Sequence, residues 1–133
     1  MTAKEERNKT LVLEAITSVF QRKDSLSVER LYAAYFIHHD PDLRQGRQVF
    51  AKIVAKLPST VSYEPGLIII AEGDYVALHG RLHGWATHLQ IVIDIFRVED
   101  GKLAEHWTVR QNDIAVESAR SKVAMFSPDE ASL

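Results

Sequence analysis

The carboxylate of Asp94 stands in the middle of an otherwise apolar run, residues 88–98 of a 133-residue sequence. Burying a carboxylate is costly unless it is hydrogen-bonded or paired with a positive charge. Asp94 is therefore retained either for structure, with its charge satisfied by His106 or a tyrosine hydroxyl, or for chemistry. Apolar surroundings raise carboxyl pKa values toward the range that suits acid/base catalysis, and we favour a catalytic Asp94.

Histidine titrates closest to neutral pH, and the sequence contains six. His106 could orient Asp94, share its proton or bond a ligand oxygen, or else be a core histidine tied to a neighbour. His79 could line a pocket wall or be an ordinary strand residue. His38 has no such support and is expected to be exposed. Cysteine is absent and no helical His-x-x-x-His pair is present, so no metal site is predicted.

The first third of the sequence has helical periodicity. Thr2 and Glu5 have the spacing of a capping box, which predicts the start of a helix. A second helix is predicted from about residue 27 until the Asp-Pro pair at 40–41, and a third over residues 45–57. The residues expected on the buried faces of these helices are Leu11, Val12, Ala15, Ile16, Val19 and Phe20; Val28, Leu31, Ala34 and Tyr35; and Val49, Phe50, Ile53, Val54 and Leu57.

After Pro58 the apolar period changes to two, which is typical of strands. Strands are predicted over residues 61–63, 67–71, 75–82, 88–98 and 103–111, with Pro65-Gly66 as a break or bulge. A loop before the fourth of them carries Trp85, which either packs in the core or caps a pocket. Helices followed by a meander of strands indicate an α+β fold, with a curved antiparallel sheet wrapped over the helices.

The turn at Asp100-Gly101 decides which residues of the last strand lie beside Asp94. A two-residue turn would pair Asp94 with Trp107, whereas a three-residue loop would pair it with His106. We favour the three-residue loop because it gives Asp94 polar neighbours. In that register, one face of the hairpin would carry Asp94, Phe96, His106 and Thr108. The other face would carry Arg97 and Glu105 as diagonal ion partners.

Three segments share order and spacing with a known family. They are Tyr-Phe-Ile-His-His-Asp-Pro at 35–41 with Gly46 soon after, Gly-Asp-Tyr-Val-Ala-Leu-His at 73–79, and the hairpin 94–103 followed by Glu-His-Trp at 105–107. Together they resemble SnoaL-like proteins of the nuclear transport factor 2-like superfamily, over about residues 8–112. The resemblance implies an α+β cone whose deep pocket opens among the helices, with the sheet as its back wall.

The resemblance also implies which residues meet a ligand. The family's matches to His39, Asp94 and His106 line its pocket, so these three are the expected catalytic residues, with a surface histidine that caps the preceding helix as the alternative for His39. Cyclase-type members carry an aspartate directly after the His-Trp pair as acid/base, but this sequence has Thr108, which cannot shuttle a proton at neutral pH. Combining the resemblance with the predicted strand faces and the loop before the fourth strand gives the expected ligand-binding residues. They are Tyr35, His79, Trp85, Phe96 and Thr108.

Composition narrows the classes of function. Sixteen basic against eighteen acidic side chains give a net charge of −2, so neither a nucleic-acid surface nor an acidic tail is indicated. Apolar runs fall well short of the ~18 residues that suggest a membrane span, and the first nine residues are too polar for a signal peptide. We expect one domain, residues 1–133, in the cytoplasm, with no nucleic-acid or membrane partner.

No nucleophile elbow, phosphate-binding glycine loop or Rossmann fingerprint is present, so no cofactor is expected.

Two functions from different classes remain. One is a cofactor-free enzyme of SnoaL-like cyclase, isomerase or hydrolase type, in which Asp94, helped by His106 and His39, moves a proton next to a carbonyl or opens a strained ring. The other is a non-catalytic module that binds a small apolar ligand, which Thr108 favours. We favour the enzyme, acting on a small apolar or carbonyl-containing molecule.

The face of the long strand opposite Asp94 predicts a homodimer. Its apolar residues would face water in a monomer, and monomers rarely expose so continuous a patch. Two-fold pairing would bury the same patch on both subunits. Alternatively, the tail covers this face within one chain, through Val123, Met125 and Phe126. The predicted patch consists of Leu89, Ile91, Ile93 and Ile95, with Leu103 and Trp107 added by the three-residue loop.

Overall fold

The computed structural model describes residues 1–127, in which helices pack on one face of a five-stranded sheet. The helices are α1, Ala3–Ile16, continued by a π-helical turn at Thr17–Gln21; α2, Leu26–Leu31; and α3, Arg47–Ala55. The strands are β1, Tyr32–His38; β2, Ser62–Glu72; β3, Tyr75–His83; β4, Gln90–Glu99; and β5, Lys102–Asn112. No helix in this part of the chain is long and apolar enough to cross a membrane.

The sheet has the order β1-β5-β4-β3-β2. β1 runs parallel to β5, and the other neighbouring strands are antiparallel. The core lies between the helices and the inner face of this sheet, and its fully buried members include Val12, Val76 and Phe96. The α+β architecture predicted from the change of period is therefore confirmed.

The predicted capping box at the start of α1 is present. The Glu5 amide donates to Thr2 Oγ1 (3.1 Å), and the Thr2 amide donates to Glu5 Oε1 (2.9 Å). Each side chain thus satisfies a backbone amide that has no partner within the helix. The helix then buries Val12, Ala15 and Ile16, as its periodicity predicts.

The second helix is shorter than predicted. It ends at Leu31, and the next residues form β1 along the edge of β5. Ala34 and Tyr35, predicted on the buried face of a helix, are exposed. Aromatic and β-branched residues suit a strand, and β5 offers an unpaired edge to this segment, so tertiary pairing decides its conformation. The prediction that this helix continues to residues 40–41 was therefore wrong beyond Leu31.

The favoured hairpin register was wrong, although the predicted grouping of residues is correct. Asp100 and Gly101 form a two-residue turn, both with positive φ (51° and 73°), and Glu99 pairs with Lys102. A bulge then leaves Ala104 as an extra residue in β5. With this extra residue, the same side chains of β5 share a face with Asp94 as a three-residue loop would have placed there. The resulting pairs are Asp94 with Thr108, Phe96 with His106, and Arg97 with Glu105.

The bulge also changes the outer face of the sheet. Leu103, predicted on the outer face, is fully buried in the core, whereas Trp107 lies opposite Ile95 as expected. The C-terminal segment covers part of this face: Phe126 is buried, and the Leu67 amide donates to the Ser127 carbonyl (2.9 Å). Val123, which was also expected to dock, is exposed.

Candidate active site

A pocket opens between the helices and the inner face of the sheet. The π-helical turn, β1, α3 and the strands supply its walls, which are largely apolar or aromatic. These wall residues are Ile16, Phe20, Tyr32, Phe36, Leu43, Phe50, Tyr63, Leu82, Trp85, Val92 and Phe96. The polar residues of the lining are His38, Asp40, Asp94, His106, Thr108 and Arg110.

Asp94 is buried at the pocket wall, and both of its carboxylate oxygens are engaged. Oδ1 lies 2.8 Å from His106 Nε2, and Oδ2 accepts a hydrogen bond of 2.8 Å from the Tyr63 hydroxyl. Burial, followed by the charge of Asp94 and the hydrogen bond itself, raises the pKa of Tyr63 far above its ordinary value. Tyr63 therefore stays protonated and acts as a permanent donor to the carboxylate. These contacts supply the compensation that a buried carboxylate needs.

His106 is held between Asp94 and an aromatic ring. Its imidazole stacks on Phe96, with 4.3 Å between ring centroids and 12° between planes. The His106 side chain is 21% exposed, against 6% for Asp94, so it is the more accessible member of the pair. Thr108 lies directly across from Asp94 in the ladder and also lines the pocket. Asp94, His106, Phe96 and Thr108 are thus brought together, as predicted.

A second polar group stands farther along β5. Arg110 forms an ion pair with buried Asp40, with Nη1–Oδ2 at 3.0 Å and Nη2–Oδ1 at 3.3 Å. Burial alone would raise the pKa of Asp40, but hydrogen bonds from Arg110 and the Asp42 amide outweigh it and hold that pKa below its ordinary value. Arg110 also lies over the ring of Trp85, 5.7 Å from its centroid. Trp85 in turn meets Phe20 edge-on, packs against the core and lines the pocket.

A family profile described as a SnoaL-like domain matches residues 13–106. The chain belongs to the SnoaL-like family. The matched range includes Asp94 and ends at His106, so Thr108 and Arg110 lie just beyond it. No curated protein sequence gives a significant match.

Solved structures share this SnoaL-like fold. A proposed ketosteroid isomerase from Kribbella flavida has a TM-score of 0.69 and 15% identity over 95% of this chain and 93% of its own. A proposed SnoaL-like polyketide cyclase from Jannaschia sp. has a TM-score of 0.67 and 16% identity, covering 84% and 90%. An epoxide hydrolase from M. tuberculosis, described as LEH-like, has a TM-score of 0.67 and 15% identity, covering 90% of each chain. At these identities the likeness shows the fold alone.

His39 and His38 exchange the places that the sequence predicted for them. His39 is exposed and lies outside the pocket lining: Nε2 is 2.7 Å from Glu105 Oε2, and its ring stacks on Trp107. His38 is buried and lines the pocket. Because this segment is a strand rather than a helix end, neighbouring residues point to opposite faces. The expectation that His39 helps Asp94 is therefore corrected.

Hydrogen bonds occupy both ring nitrogens of His38. Its Nδ1 accepts from the Asp40 amide (3.2 Å), and Nε2 lies 2.8 Å from the Arg44 carbonyl oxygen. A carbonyl only accepts, so Nε2 is the donor in the second contact. Both nitrogens are thus used to hold the segment 38–44, and His38 contributes a ring face to the pocket rather than a free acid or base.

Tyr35 and His79 also lie outside the pocket. The Tyr35 hydroxyl donates to Glu99 at the outer side of the hairpin, while Tyr32 and Phe36 take the places at the pocket wall. His79 lies on the outer face of β3, 5.9 Å from the Phe126 ring and opposite Ile93. Strand alternation explains both positions, since β1 and β3 each direct every second residue outward.

Tyr63 is the functional candidate that sequence reasoning did not name, although a tyrosine partner for Asp94 was foreseen. It reaches the carboxylate from two strands away, a contact that no local pattern reveals. Among residues 1–127, no group of three or more histidine, aspartate or glutamate side chains has the arrangement of a metal site.

Proposed function

We propose that this SnoaL-like protein is a cofactor-free enzyme that moves a proton on a small apolar or carbonyl-containing molecule. The observation that carries the proposal is the contact of 2.8 Å between Asp94 and His106 inside an apolar pocket. A carboxylate and an imidazole within hydrogen-bond distance are groups of the kind that take and give protons in general acid–base catalysis. The fold is one that hosts enzymes, and the similar structures bear the names of an isomerase, a cyclase and a hydrolase.

Each part of the pocket has a role in this proposal. The aromatic and aliphatic walls bind the apolar body of the substrate and exclude water, which strengthens electrostatic interactions at the polar end. Asp94 and His106 take a proton from a carbon beside the carbonyl and return it to another position, so that no net proton is consumed. Thr108, opposite Asp94, is available to bond a substrate oxygen.

Proton exchange tests this function without knowledge of the product. Cyclic ketones, enones and epoxy ketones are incubated with the protein in D₂O, and loss of the α-proton signal is followed by NMR. The matched variants are His106→Gln, inside the pocket, and His39→Gln, outside it. We expect exchange by the wild type and by His39→Gln, and a rate lower by about 10²-fold or more for His106→Gln. Equal rates for all three proteins would refute the proposed role of the pair.

A non-catalytic pocket is the second candidate, and Thr108 supports it. The position that holds the acid/base in cyclase-type members faces the pocket but carries a hydroxyl. A binding module would show saturable binding of a small apolar compound by calorimetry, with no exchange of its protons in D₂O. The enzyme would show both.

We also propose that two copies pair through the outer face of the sheet. Ile70, Ile93 and Ile95 are 61%, 44% and 37% exposed, and Trp107 lies beside Ile95. Up to residue 127, the C-terminal segment covers the part of this face around His79 and Arg81. Burial of the remaining apolar patch by a second copy would remove it from water.

A further inference from the structure

We propose that Gly80 is a positioning residue of the site: because it has no side chain, the ring of Tyr63 can cross β3 and hold the Asp94 carboxylate. This role of Gly80 belongs to the pocket of the proposed function, but it depends only on how the site is built and does not require turnover.

The distance across the sheet explains why a gap is needed. Tyr63 lies on β2 and Asp94 on β4, with β3 between them. Neighbouring strands are about 4.8 Å apart, so these two strands are separated by roughly 10 Å. A tyrosine spans that distance only by lying flat over the strand in the middle. The hydrogen bond of 2.8 Å from its hydroxyl to Asp94 Oδ2 shows that it does so.

Gly80 is the residue beneath that ring. The inward positions of β3 are Val76, Leu78, Gly80 and Leu82, and only the third lacks a side chain. A Cβ atom at position 80 would lie 2.4 Å from the Tyr63 hydroxyl oxygen and 2.5 and 2.6 Å from Cζ and Cε1. Such separations are far shorter than the van der Waals contacts of about 3.5–4.0 Å found between non-bonded atoms.

Backbone conformation does not explain this glycine. The glycines with positive φ are Gly46, Gly73, Gly84 and Gly101, and Gly80 is not among them. On the β4 side the ladder is unbroken, with Gly80 opposite Val92; on the β2 side Gly80 lies opposite Pro65, and the register shift that follows is in β2, between Pro65 and Ile69. Any residue could adopt this extended backbone, but glycine in a strand interior weakens the strand. The space above Gly80 is therefore the reason for its presence.

Two contacts hold Tyr63 against β3 and oppose its lifting away to admit a side chain. Phe20 packs against Tyr63, with 5.4 Å between ring centroids, and Gln21 Nε2 donates to the Tyr63 carbonyl oxygen (2.9 Å). The ring is thus confined between the π-helical turn and β3. A methyl group at position 80 would displace the hydroxyl sideways, away from Asp94, and leave the carboxylate with His106 alone.

The first test is the NMR signal of Tyr63 in protein labelled with ¹³C at the tyrosine ζ carbon. Loss of one resonance in Tyr63→Phe assigns it. We expect Gly80→Ala to shift this resonance toward that of exposed Tyr75, since the hydroxyl loses its buried acceptor. Val12→Ala, which thins the core in α1 outside the pocket lining, should leave the Tyr63 resonance in place. An unchanged Tyr63 resonance in Gly80→Ala would overturn the proposal.

A double-mutant cycle tests the same contact through stability, including the case in which Gly80→Ala folds poorly. Leucine lacks the Cζ and hydroxyl atoms that meet position 80. We expect the loss in Tm caused by Gly80→Ala to shrink by at least half in the Tyr63→Leu background. Equal losses in both backgrounds would show that Gly80 acts elsewhere. Neither test uses a substrate, so failure of the proposed catalysis and failure of this inference are distinguishable.

Discussion

The two faces of β4 and β5 reverse the usual distribution of polarity. On the inner face, a buried carboxylate and a partly buried imidazole lie among aromatic rings, while on the outer face Ile93, Ile95 and Val109 are exposed to solvent. Hydrophobicity alone would have assigned the two faces the other way round. Buried polar groups and exposed apolar patches are the informative exceptions to the inside–outside rule. Here they are the basis for the site that we propose on one face and the interface that we propose on the other.

Introducing a carboxylate into the inner face should have the largest effect. Val76 is fully buried, and Val76→Asp would place a charge among apolar side chains with no cation to pair it. We expect a loss of more than about 4 kcal/mol in unfolding free energy, enough to abolish the native fold. Circular dichroism during urea titration measures this. A cooperative transition close to that of the wild type would contradict the assignment of this face to the core.

An aspartate introduced on the outer face should change the oligomeric state and leave the fold intact. Ile93→Asp places its charge on a patch that we propose is shared by two copies. We expect sedimentation equilibrium at micromolar concentration to give twice the chain mass of 15.0 kDa for the wild type and 15.0 kDa for the variant. A wild-type protein that sediments as a single chain would end the dimer proposal.

The Asp40–Arg110 pair should make inner-face stability depend on pH. Because the pKa of Asp40 is lowered in the folded state, the pair stabilises the protein above the unfolded pKa of about 4 and loses this effect as pH falls through the folded value. We expect Arg110→Met to cost about 3 kcal/mol at pH 7, since it leaves a buried carboxylate unpaired. The difference from the wild type should narrow below about pH 4.

Urea titrations at several pH values measure the effect of Arg110→Met. Arg30→Met is the matched control, because Arg30 forms an ion pair with Glu14 in which both side chains are exposed. Such pairs contribute little to stability. A loss for Arg110→Met that does not change between pH 7 and pH 3 would contradict the assignment to Asp40.

A second carboxylate beside Asp94 should have a smaller effect. Thr108→Asp places two carboxylates opposite each other, and one of them must take up a proton. We expect a loss of about 2 kcal/mol at pH 7 that diminishes as pH falls, because the folded state then binds the extra proton more readily than the unfolded state. Gln111→Asp, on the outer face of β5 at an exposed position that is already polar, should change the unfolding free energy by less than about 0.5 kcal/mol. Similar losses at the two positions would contradict the orientation of β5.

Local signals in the sequence were enough for some of these features. The capping box at Thr2 and Glu5 depends on residues three apart, and the change of period after Pro58 reports the alternation of each strand. The grouping of Asp94 with His106 followed from face alternation together with the preference for a register that gives Asp94 polar neighbours. It holds even though the turn type was wrong, because the bulge at Ala104 shifts the register by one further residue.

Other features depend on partners far along the chain. Residues 32–38 form a strand because β5 is available beside them, and the assignment of His38 and His39 to opposite faces follows from that choice. Tyr63 reaches Asp94 over an intervening strand, which no local pattern encodes. Gly80 signals only that some group approaches the strand closely, since an isolated glycine within a predicted strand indicates such an approach, and it does not identify Tyr63 as that group.

Asp94→Asn tests the central claim most directly. The amide has the shape of the carboxylate but cannot titrate, so the variant should keep the wild-type fold by circular dichroism. With the best compound from the exchange screen, we expect kcat/KM to fall by about 10²–10⁴-fold, the range that general acid–base catalysis contributes. A folded Asp94→Asn protein with kcat/KM within about twofold of the wild type would contradict the account, since a loss of at least 10²-fold is required.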